Sequence, residues 1–192
     1  MDYFGALIRS EGANALSTPE RFSIYLGNIS MALVGFAILA PEVSIETLLM
    51  IDPRGKDRHF NSDFAMRSDH ITKLINIYTD RVKKGQVPLK SKNISLAASQ
   101  WYPSTLTEIL VEYRAWLALA GGDLYLELEK KGDIYLVKCK ISVPIKYPEN
   151  AKLGGQIIPG VRLYIDEAIF AALEDLEWLH PYNAYYHWTV EL

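Results

Sequence analysis

The hydrophobic pattern of the chain has three regimes. From Phe22 to Ala40 the run FSIYLGNISMALVGFAILA carries no charge over nineteen consecutive residues. Between Ser68 and Ala120 apolar residues recur at helical spacing, and from Leu124 onward they largely alternate. Ahead of the uncharged run, Thr18 is placed to cap a helix, Pro19 suits its first turn and Glu20 complements its dipole. Pro41 is expected to end it. A helix over 19–40 would be about 33 Å long, which matches a hydrocarbon core of roughly 30 Å. It is apolar all round, and Gly27, Ser30 and Gly35 are small enough to let membrane helices approach closely. The pattern therefore predicts a transmembrane anchor. The alternative is a fully buried central helix in which Asn28 and Ser30 find partners internally. A cleaved signal peptide fits poorly, because the run exceeds the usual length of about 7–15 residues and Pro41 follows the small-residue site at Ala40.

Around this run, Tyr3, Phe4, Leu7 and Ile8 suit a short amphipathic helix, and Val43 to Ile51 suits a short strand. The segment Asp52-Pro53-Arg54-Gly55-Lys56-Asp57 is a turn by its Pro and Gly. Ser68 caps a helix whose Ile71, Leu74, Ile75, Tyr78 and Val82 share one face, and Lys83-Lys84-Gly85 closes it. After the polar linker Gln86–Asn93, the capping box Thr105-Leu106-Thr107-Glu108 starts a second helix that stops at Gly121-Gly122. Its Glu108, Glu112 and Arg114 are expected mostly on the exposed side.

The period then becomes two. Leu124, Leu126 and Leu128 alternate with Tyr125, Glu127 and Glu129; after a turn at 130–133, Tyr135, Val137, Cys139, Ile141, Val143 and Ile145 form one face of the clearest strand. A further strand fits Gln156–Ile165, a short helix Glu167–Leu179, and a last strand places Tyr186, Trp188, Val190 and Leu192 inward. These elements predict an α+β fold: an N-terminal apolar helix, then two helices packed on a mostly antiparallel sheet. The expected organisation is a tail over 1–18, the anchor over 19–41 and one α+β domain over 42–192.

Composition narrows the classes. At 49% hydrophobic the chain is too apolar for a disordered protein, and one cysteine excludes an intramolecular disulfide and a multi-cysteine zinc site. A net charge of −3 gives no global attraction to nucleic acid. The charge is unevenly spread: Asp52–Lys92 holds ten Lys/Arg against five Asp/Glu, whereas Asp166–Leu192 holds six acidic residues and no Lys or Arg. Two such regions either pair within the fold or serve separate partners.

No catalytic constellation is visible. His59, His70, His180 and His187 lack metal-ligand spacing, and there is no nucleophile elbow, phosphate loop or dinucleotide fingerprint. Cys139 alternates with inward apolar residues and reads as core. The segment Trp178–Trp188 is unusually aromatic, with Tyr182 and Tyr185 expected outside and His187 on the polar face. Tyr and Trp dominate interface hot spots. Tyr182, Tyr185 and His187, with Arg54, Lys56 and Arg58 of the basic region, are the candidate partner-binding residues. No cofactor, metal or catalytic residue is expected.

An apolar N-terminal helix before one α+β domain resembles, in plan, the bitopic inner-membrane scaffold subunits of type IV secretion and conjugation systems. The likeness covers organisation only, and the helix over 167–179 departs from it. It implies a membrane-anchored assembly subunit contacting other subunits or copies of itself; with no catalytic constellation in the sequence the subunit is expected to be non-catalytic, and the small N-terminal and large C-terminal flanks place the C-terminal domain on the non-cytoplasmic side. The alternative is a soluble or virion-type structural protein in which residues 22–40 are buried or face an oligomer.

Overall fold

A computed structural model describes residues 2–30, 33, 41–97, 106–147, 152–158, 161–166 and 168–192. In chain order these form helices α1 (Asp2–Glu11), α2 (Thr18–Ser30) and α3 (Pro41–Leu49), then strand β1 (Arg58–Asn61) and helix α4 (Asp69–Lys83). Strand β2 (Ile94–Ser95), helix α5 (Leu106–Leu119) and strands β3 (Asp123–Lys131) and β4 (Ile134–Ile145) follow. Strands β5 (Lys152–Ile158) and β6 (Val161–Asp166), helix α6 (Ala168–Asp175) and strand β7 (Tyr182–Glu191) complete the chain. The fold is α+β, as the change of period indicates. It divides into two compact units, Met1–Gly55 with Ile145–Tyr182, and Lys56–Pro144 with Asn183–Leu192.

The second unit is built on a five-stranded sheet in the order β1-β7-β4-β3-β2. Strands β3 and β4 form an antiparallel hairpin in which Leu126 faces Cys139, and Gly132 (φ +61°) supplies the left-handed residue its tight turn needs. Tyr135 and Leu192 exchange backbone bonds of 2.8 and 2.9 Å, the antiparallel pattern, between β4 and the end of β7. Strand β1 pairs with β7 in parallel, which makes the sheet mixed. The alternation read from the sequence holds: Leu124, Leu126, Leu128, Val137, Cys139, Ile141, Ala184, Tyr186 and Trp188 are all buried. Phe64 packs edge-on to Tyr186 at 5.1 Å on this covered face. At Gly122 a Cβ would lie 2.7 Å from the Ser142 carbonyl oxygen, so the stop after α5 also permits a close approach to β4.

Helix α4 starts as expected, with Ser68 Oγ accepting from the Ile71 N–H at 3.2 Å and Ile71, Ile75 and Val82 buried. Thr105, the expected cap of α5, lies outside the described residues. Glu112 requires a correction. It is 7% exposed and does not face solvent. Its carboxylate accepts from Ser68 Oγ at 2.7 Å, from the His70 N–H at 3.3 Å and from the Asp69 N–H. The free N–H groups and positive end of α4 stabilise the charge there, a partner that spacing within α5 cannot reveal.

In the first unit, α1 and α2 both pack against α6. Ile169, Phe170, Ala171, Ala172 and Leu173 are buried in succession, so this part of α6 is enclosed on all sides. Helix α2 turns Ile24 and Asn28 inward, while Phe22 and Leu26 are 52% and 45% exposed. Asn28 Oδ1 accepts from the Tyr147 hydroxyl at 2.6 Å, and the Tyr147 N–H donates to Glu174 Oε1 at 2.7 Å. Among the described residues no helix is long and apolar enough to cross a membrane. Apart from Leu33, residues 31–40 of the expected span lie outside the described residues.

Three other expectations change. Of the strand expected over Val43–Ile51, residues 43–49 belong to helix α3 and 50–51 to the turn after it; Pro41 suits the first turn of the helix, and Glu42 complements the dipole. The single strand expected over Gln156–Ile165 is two antiparallel strands, β5 and β6, in which Ile158 pairs with Val161. The helix expected over Glu167–Leu179 ends at Asp175.

Glu174 carries a consequence for stability. Burial pushes its carboxyl up to about 7 from 4.5, against the Tyr147 N–H bond that lowers it. The native state therefore holds a proton that the unfolded chain has lost between these values. The contribution of Glu174 to stability is greatest below about pH 4.5 and falls as pH rises to about 7. Glu174→Gln should remove that fall and raise stability at pH 8 by about 1–2 kcal/mol, allowing for partial exposure. Thermal melting across the range checks it; parallel wild-type and variant curves would contradict it.

Candidate recognition surface

The odd-numbered positions of β7 form the outer face of the sheet, and β1 and β4 flank them. The sequence RHFN alternates on β1: Phe60 stacks on Tyr186 inside, at 5.0 Å, and His59 points out. The parallel register sets His59 beside Tyr185 and Asn61 beside His187. The His59 and Tyr185 rings stack at 4.9 Å and 20°, and the His59 and His187 rings at 5.5 Å and 19°. His59 Nδ1 lies 3.2 Å from His187 Nε2, so one ring donates and the other accepts. From β4, the Lys140 ammonium sits 4.4 Å from the centre of the Tyr185 ring.

Asp57 fixes the edge of this cluster. It accepts from the Asn183 N–H at 3.0 Å, from Asn183 Nδ2 at 3.1 Å and from the Tyr185 hydroxyl at 3.4 Å. The Asn183 backbone bond, foremost, holds its carboxyl below the usual range. Burial, then the neighbouring His59 and Lys140, push the His187 imidazole down, towards its neutral form.

The candidate residues from the sequence divide. Tyr185 and His187 are brought together on this face. Tyr182 is not outside but 6% exposed in the first unit, its hydroxyl donating to the Glu46 carbonyl at 3.0 Å, because even positions of the strand point inward. Arg54 closes on Asp52 with bonds of 2.8 and 2.6 Å. Lys56 is exposed, and Arg58 alternates to the covered side with its Nε buried. His59, Lys140, Asp57 and Asn183 join them without a motif in the sequence to mark them; the alternation in RHFN is the signal for His59. Cys139 is inward as expected, and burial pushes its thiol up to about 12, which keeps it protonated.

Chemically, the face can stack planar groups, donate hydrogen bonds and place cationic groups against an anion. Among the described residues no group of three His, Cys, Asp or Glu side chains is arranged to hold a metal ion. Comparison with family models, curated proteins and solved structures finds no match for this chain, so the reading of this surface rests on its geometry.

Proposed function

We propose that the protein is a non-catalytic structural or assembly subunit that works by contact with other protein subunits through the outer face of β1, β7 and β4. The stack of His59, Tyr185 and His187 beside Lys140 carries this reading. It is a preassembled aromatic and cationic patch on a sheet, the kind of surface on which interface hot spots concentrate. The two imidazoles are bonded to each other at 3.2 Å, which leaves no gap for a reacting atom between an acid and a base. Tyr185→Ala should weaken assembly by more than about 1 kcal/mol without shifting the melting temperature. Co-isolation of the tagged full chain with its complex from the native cell reads this; an unchanged complex would count against the proposal.

The apolar segment can serve such a subunit as a membrane anchor or as a helix held within the protein or its assembly. The uncharged run 22–40 supports the first. We favour the second, because Asn28 and Ile24 are packed inside the first unit and Asn28 bonds Tyr147, partners that a bilayer span would forfeit. Carbonate washing of membranes should then release the protein, and retention in the pellet would restore the anchor.

A further inference from the structure

The outer face also has a pattern of charge that names a partner chemistry. On β3 and β4 the charges are largely matched: Lys90 lies 3.0 Å from Glu127, and Lys138 and Lys131 lie 3.4 and 3.9 Å from Glu129. Lys140 has no carboxylate at ion-pair distance among the described residues; its ammonium rests on the Tyr185 ring. Next to it, the paired imidazoles have a definite proton arithmetic. In the neutral pair one hydrogen is shared between His59 Nδ1 and His187 Nε2. Of the two remaining ring nitrogens, one then carries a hydrogen and the other a lone pair, whichever tautomer is present. One added proton makes both of them donors, keeps the bond between the rings and adds a positive charge.

We infer that this face is a seat for the carboxylates of an acidic segment on a partner protein, and that His59 and His187 take up one proton as the segment binds. The inference rests on the reading of this face as the contact surface. A carboxylate has two oxygens to accept from these donors and compensates Lys140. Nucleic acid is the poorer fit, because it needs several cations free to displace counterions, and Lys90, Lys131 and Lys138 are already matched.

The groups around the pair set the sign of the pH response. Asp57, on the strand β1 side, is engaged by Asn183 and Tyr185 and its charge also acts on His59; Lys140 faces the pair from β4, and Lys138 is matched by Glu129. Burial and Lys140 disfavour the protonated form of His187 in the free protein. A bound carboxylate reverses this by adding an opposite charge. Binding must therefore tighten as pH falls through the imidazole range.

The test uses the full chain with an oligoglutamate peptide of about eight residues, titrated at constant ionic strength near pH 5.5 and near pH 7.5. Affinity is expected to be about fivefold or more higher at the lower pH. Lys140→Gln should weaken binding at both pH values, and His187→Gln should flatten the pH dependence, with melting temperatures matched to wild type. No binding at either pH, an unaltered pH dependence in His187→Gln, or tighter binding of oligothymidylate of equal length would each overturn the inference. Loss of assembly in Tyr185→Ala alongside no oligoglutamate binding would overturn it while leaving the contact reading intact.

Discussion

Val137→Asp is expected to abolish folding of the second unit. Val137 is fully buried and faces Leu128 across the hairpin, between the inward-facing Tyr135 and Cys139 positions of β4. A carboxylate there has no bonding partner, at a cost of several kcal/mol against a total stability of roughly 5–15 kcal/mol. Lys138→Asp, one residue on and outward, loses the 3.4 Å pair with Glu129 and places like charges nearby. Surface pairs contribute about 0–1 kcal/mol, so that variant should fold. Circular dichroism and urea unfolding of the two variants check the contrast. Equal damage from both would mean that the strand does not have the two-sided character assigned to it.

Glu112→Leu is expected to cost about 3 kcal/mol or more in urea unfolding, although leucine is a better match to the apolar stripe of α5. The substitution strands the Ser68 hydroxyl and the first N–H groups of α4, which Glu112 now satisfies. Glu112→Gln keeps an acceptor oxygen but removes the charge facing the helix end, and should fall between the two. If Glu112→Leu left stability unchanged or raised it, the carboxylate would be incidental to holding α4 against α5.

The contrast between these two sites shows how much the sequence alone discloses. Period-two alternation around Val137 and Cys139 is a local signal, and it located the hairpin, its register-defining face and the buried thiol. Helix α4 was equally legible, because Ser68 and Gly85 mark both ends within its own segment. Glu112 is not legible in this way, because its partner Ser68 lies 44 residues away and periodicity sends a charge on a helix to solvent. The same limit applies to the recognition surface. Tyr185 and His187 were visible from alternation on the last strand, but His59 joins them only through parallel pairing of a four-residue strand from 128 positions earlier. Tyr182 shows the reverse error: it was expected outside, although it shares the inward parity of Ala184 and Tyr186. In α3 the apolar residues of 43–49 have no clear period, and the helix buries the polar Ser44, Glu46 and Thr47, which a hydrophobicity pattern does not place inward.

The central claim is that the protein works by contact through the outer face of β1, β7 and β4. Hydroxyl-radical footprinting reads those side chains directly, comparing the isolated full chain with the same chain in its native complex. The account predicts that His59, Tyr185 and His187 lose reactivity in the complex while Phe22 and Leu26 serve as separate reporters of the first unit. Equal labelling of His59, Tyr185 and His187 in the two states would contradict it.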